Sequence, residues 1–171
     1  MKARTLLLPL VLLPLALGAA PATKPAASTA TKHAMADPSQ VKWGPAPDAF
    51  PAGAQMAVLW GDPGKSGAFT VRLKMPPGYR IGRHWHPADE LATVLEGDVH
   101  LDMGSGGEAH SHDFGAGGYA LMPAKMQHAA STKGGAVVQV TGMGPFAIHY
   151  VDPKDDPRTG KAPAEAKPAH P

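Results

Sequence analysis

Between residues 54 and 151 the apolar side chains come in short runs that never grow into a long 3.6-residue repeat. The runs are AQMAVLWG, AFTVRLKM, YRIGRHWH, LATVLEG, DVHLDMG, YALMP, AVVQVTG and FAIHYVD. Gly, Pro or Asp interrupts each of them, and the chain holds 20 glycines and 19 prolines to do so. A helix needs a longer amphipathic stretch to bury a face, whereas short runs closed by turn residues at intervals of about 8–12 suit strands of a sandwich or barrel. GDPGKSG and MGSGGEAHSHDFGAGG read as loops by composition. No segment repeats another, so one all-β barrel is expected.

The ends differ from this middle. Lys2 and Arg4 precede an apolar run from Leu6 to Leu17, and small residues follow up to Ala22. That layout predicts a secretory signal peptide over 1–22, because the run is too short to span a bilayer. Export to a periplasmic or extracellular compartment is the expected location. Residues 23–40 and 153–171 are rich in Ala, Thr, Pro and Lys and poor in large apolar groups. They cannot offset the entropy of ordering a chain, which predicts a disordered tether and tail around a folded domain at 41–152.

Loss of Lys2 and Arg4 with the leader takes the formal charge of +2 to about zero. Such a balance offers no basic groove for nucleic acid and no polybasic membrane patch. The chain has no cysteine, which excludes zinc–thiolate sites and cysteine nucleophiles and leaves stability to packing, metal or self-association.

One stretch carries chemistry: GYRIGRHWHPADELATVLEG, residues 78–97. Strand side chains alternate between faces, so His84 and His86 share one. Two imidazoles with Glu90 nearby suit a divalent metal better than a hydrophobic core. By the same parity Arg80 and Gly82 face the histidines, with Arg83 and Trp85 turned away. Gly82 would then leave space beside a metal, and Arg80 would offer its planar fork to an oxyanion there.

The stretch resembles the first motif of the cupin superfamily, G-x5-H-x-H-x3-E-x6-G, with Gly78, His84, His86, Glu90 and Gly97 at the fixed positions. A second motif, G-x5-P-x-G-x2-H-x3-N, is met by Gly117, Pro123 and His128. Lys125 stands in place of its glycine and Thr132 in place of its asparagine. The resemblance implies a single-domain double-stranded β-helix, a jelly-roll-like barrel, holding one divalent transition metal through His84, His86, Glu90 and His128. Mn, Fe, Co, Ni and Zn all suit such mixed nitrogen and oxygen donors. Because glycine adopts positive φ cheaply, Lys125 is expected to alter the turn before His128.

The other histidines carry less. His110 and His112 fall in the Gly-rich stretch and are expected at the surface. His100 alternates with Val99 and Leu101 and so faces away from what they bury. His149 is placed at the pocket mouth as a second contact, beside Arg80, for a substrate. Met122 and Met126 read as packing. The expected function is a metal-dependent enzyme of dioxygenase or isomerase type on a small oxygenated or anionic molecule. The alternative is a non-catalytic cupin that binds a metal or small ligand as a sensor. A homodimer is compatible with either.

Overall fold

The computed structural model describes residues 34–159, and the expected leader, the tether up to residue 33 and the tail from residue 160 lie outside them. Ten strands follow one another: β1 (Gly44–Pro45), β2 (Gln55–Trp60), β3 (Gly67–Met75), β4 (Arg80–Trp85), β5 (Glu90–Met103), β6 (His110–Gly115), β7 (Tyr119–Met122), β8 (His128–Ser131), β9 (Ala136–Gly144) and β10 (His149–Tyr150). Among the described residues the only helical turns are short 3-10 pieces, at Pro38–Gln40, Gly106–Glu108 and Pro153–Asp155.

All pairings are antiparallel. β5 belongs to both halves of the barrel. Its residues 90–97 pair with β7 and β9, and residues 98–103 pair with β6 and β8. One half therefore runs β1-β2-β3-β9-β5-β7 and the other β6-β5-β8-β4-β10. The sequence read LATVLEG and DVHLDMG as two strands, but they form one, which turns at Gly97. That residue holds φ +77°, and a Cβ on it would overlap the carbonyl oxygen of Gly135. Only glycine lets the two backbones approach there.

The interior follows from alternation. Phe69, Val71, Leu73 and Met75 of β3 are buried, while Arg72 and Lys74 between them are not. Val71 pairs with Val140, Leu73 with Val138, and Phe69 with Gly142, whose missing side chain makes room for the phenyl ring. Val94, Val99 and Ile81 join them from the strands on both sides of the bend, giving one core. Cross-strand pairs of this kind are the unit of sheet stability, and burying Phe69 alone contributes roughly 1.5–3 kcal/mol.

Two boundaries differ from the sequence reading. Residues 110–115, taken as loop, form β6 against β5, because the pairing uses backbone groups and leaves their polar side chains outside. The segment 153–159, assigned to the tail, folds onto the barrel. Asp152 accepts a hydrogen bond from the Lys154 N–H, Thr159 Oγ1 donates to the carbonyls of Pro153 and Asp156, and Asp155 lies against Gly82. Polar caps and a missing side chain hold this segment, so its low apolar content was a poor guide.

Candidate metal centre

The four residues singled out by the motif come together from three places. His84 lies near the end of β4 and His86 just beyond it, Glu90 opens β5, and His128 opens β8 opposite His84. The turn before β8 is tied to the first segment twice. The Lys125 N–H donates to the His86 carbonyl at 2.8 Å, and the Ala124 N–H donates to Asp89 Oδ1 at 2.8 Å. Lys125 itself holds φ +67°. It was expected to change this turn, yet it adopts the left-handed conformation that a glycine would take.

Each imidazole is oriented through its far nitrogen. Nδ1–H of His84 donates to the Gly82 carbonyl at 2.7 Å, that of His86 to Ala147 at 2.8 Å, and that of His128 to Met126 at 3.0 Å. A carbonyl only accepts, so Nδ1 carries the proton and Nε2 of each neutral ring presents a lone pair. Those lone pairs converge on a carboxylate, with Nε2 of His86 and His128 lying 3.2 and 3.1 Å from Glu90 Oε2. Oε2 is buried and has no hydrogen-bond donor. Acceptors facing acceptors in a buried site repel unless a cation stands among them.

The spacing suits such an ion. Donors about 2.1 Å from a metal and at right angles to each other lie about 3.0 Å apart. One donor atom from each of the four residues lies within 4.8 Å of every other. The group could therefore hold a metal ion. The three histidines are no more than 5 % exposed. Burial, aided by the neighbouring His128, pushes the His84 imidazole down to about 3. Burial alone would raise the Glu90 carboxyl, but a proton or a metal ion held at Nε2 of His128 and His86 keeps it well below the usual carboxylate range. Both groups are thus kept in the deprotonated forms that bind metals.

The quartet sits on the wall of a cavity of about 320 Å³ inside the barrel. Most of the lining is aliphatic or aromatic, including Phe69, Val71, Ile81, Val140 and Phe146, and Phe146 stacks on His86 with centroids 4.1 Å apart. Arg80 is not part of that lining and is exposed. The pairing of β4 with β8 slips between Ile81 and His84, with three steps along β4 for two along β8. That bulge reverses the alternation, so Ile81 takes the inward place given to Arg80. Gly82 opens no space beside the histidines. Asp155 covers it, and a Cβ there would lie 2.5 Å from that carboxylate.

His149 is also outside the cavity, exposed and stacked on Trp85 at 4.2 Å. His100 turns outward as expected and bonds Asp113 at 2.6 Å, while Val99 and Leu101 are buried. His110 and His112 are exposed. The cavity wall gains a residue the sequence did not flag, Arg158. Its guanidinium bonds both carboxylate oxygens of Asp156 at 2.8 Å and donates to the Ile148 carbonyl at 3.1 Å. Nothing in its Pro- and Ala-rich surroundings marked it.

The sequence matches the family described as the ChrR cupin-like domain over residues 31–147, well over half of the chain. The chain belongs to that family. Its barrel resembles the polyketide cyclase RemF from Streptomyces resistomycificus, with a TM-score of 0.62 at 18% identity over 74% of this chain and 90% of that one. A deletion mutant of Bacillus subtilis oxalate decarboxylase gives 0.52 at 19% identity over 66% of this chain and 30% of the other. Another structure of oxalate decarboxylase, concerned with its Mn(II) centres, gives 0.49 at 20% identity over 57% of this chain. This cupin spans only 28% of that enzyme's length. At such identities the likeness establishes the cupin fold alone. No curated protein matches the chain.

Proposed function

We propose that this cupin is an exported, divalent-metal-dependent enzyme that acts on a small oxygenated organic molecule, with chemistry of dioxygenase or isomerase type. The observation that carries the reading is the convergence of three Nε2 lone pairs and Glu90 Oε2 on the wall of an apolar cavity inside the barrel. His84, His86, Glu90 and His128 would hold a first-row divalent ion of the Mn to Zn series, leaving two positions of an octahedral shell for ligands. An ion bound there supplies a Lewis acid, and a redox centre where its identity allows. The chain does the rest. The three Nδ1–H bonds to backbone carbonyls fix the tautomer and aim of each ring. Phe146 and the aliphatic wall give the quartet apolar surroundings, which strengthen polar contacts there. Export rests on Lys2, Arg4 and the apolar run that follows.

One feature favours a second reading, a binding or sensing cupin without turnover. Among the described residues, no imidazole or carboxylate lines the cavity apart from the quartet. The other ionisable groups on the wall are the half-exposed Tyr119 and the Asp156-paired Arg158, so the usual carboxylate or imidazole for proton transfer, separate from the ligands, is missing there. The experiment is to load purified mature protein with Mn, Fe, Co, Ni or Zn, then follow oxygen uptake and product formation over a panel of enols, phenols and carboxylic acids. Turnover by one metal form supports the enzyme, and ligand binding without turnover by any form supports the sensor.

A further inference from the structure

The cavity also limits what it can receive. Resting on the metal-site reading above, we infer that its ligand is an apolar molecule carrying a single acidic oxygen, such as a monocarboxylate, a phenol or an enol, and not a dianion. Charge decides this first. Three neutral imidazoles and one carboxylate around a divalent ion leave one positive charge in a buried site. One anionic oxygen cancels it. A second negative charge would need another cation, and the only cationic side chain on the wall among the described residues is Arg158. Asp156 already neutralises it with two 2.8 Å bonds, and its Nη2 is further used by the Ile148 carbonyl. An unpaired charge in such surroundings is costly.

The wall decides the remainder of the molecule. Away from the quartet, the space is bounded mostly by side chains such as Phe69, Val71, Ile81, Leu101 and Val140, which offer no side-chain hydrogen bond to a polar body; the exceptions are the half-exposed Tyr119 and the Asp156-paired Arg158. A volume of about 320 Å³ is roughly ten water molecules' worth at ~30 Å³ each, enough for a body of several carbons beyond the acidic group. Each buried methylene adds to affinity in such a pocket, whereas a hydroxyl or second carboxylate loses its water without replacement.

The test uses mature protein loaded with Co(II), whose metal content is measured first and whose visible bands report ligands at the ion. Acetate, hexanoate and adipate are titrated, with calorimetry in parallel. Hexanoate should bind at least tenfold more tightly than acetate, and at least tenfold more tightly than adipate, which has the same carbon count and one more charge. Ala130→Leu fills part of the cavity wall. It should weaken hexanoate at least fivefold while leaving acetate and the cobalt content unchanged. If that variant does not fold, the wild-type series still decides. Equal affinities across the three acids, adipate binding as tightly as hexanoate, or no acid binding at all would overturn the inference while the metal site stood. Failure to take up cobalt would instead remove the metal reading, and this inference with it.

Discussion

The backbone N–H of Lys125 donates to the carbonyl of His86 at 2.8 Å while Lys125 holds φ +67°, the only non-glycine residue with positive φ among the described residues. This bond joins the turn that delivers His128 to the segment that carries His84 and His86. A side chain in the left-handed region costs roughly 1–2 kcal/mol, part of which a glycine recovers at the expense of a more flexible unfolded chain. Lys125→Gly should therefore raise stability by about 0.5–1 kcal/mol, seen as a Tm higher by a few degrees, with metal content unchanged. Lys125→Pro loses both the donor and the backbone angle, and should lower the Tm and the metal content together.

Acidity acts through His84. Burial pushes its imidazole down to about 3, against about 6.5 in the unfolded chain. The unfolded state binds the extra proton, so the neutral buried ring contributes fully above pH 6.5 and stability falls as pH drops toward 3. The slope is up to ~1.4 kcal/mol per unit for this one group. Urea midpoints of metal-free protein at pH 7.5, 5.5 and 4.5 should decline in that order. A flat or rising series would contradict the placement of His84.

What the sequence made legible, and what it did not, follows from how each signal arises. His84, His86, Glu90 and His128 were readable because ligand geometry fixes residue type and spacing together. Alternation then misplaced Arg80, since one extra residue in β4 between Ile81 and His84 reverses every side chain before it. Gly82 marks that bulge, but a glycine reads the same whether it faces a cavity or a covering loop. The bend at Gly97 split β5 into two apparent strands, although the glycine itself was identified as part of the motif. Arg158 was invisible because it depends on hydrogen bonds to Asp156 and the Ile148 carbonyl, neither of which leaves a pattern in hydrophobicity.

The position of segment 153–159 can be tested at Gly82. A methyl group there would collide with the Asp155 side chain and displace the turn at Pro153–Asp155. Gly82→Ala should make the peptide bonds after Lys154 and Arg158 several-fold more sensitive to trypsin under native conditions. The cut sites, read by mass spectrometry, should be the same as in wild type. Unchanged cleavage rates would show that the segment does not depend on Gly82.

The central claim is that His84, His86, Glu90 and His128 hold one metal ion, and metal analysis of tag-free protein tests it most directly. Wild type should carry close to one first-row divalent ion per chain. His84→Ala and His128→Ala, each lacking one of four ligands, should lose at least ten- to a hundredfold in affinity and purify nearly metal-free while remaining folded by circular dichroism. Wild-type protein that takes up no metal on dialysis against these ions, or His84→Ala that retains a full equivalent, would contradict the account.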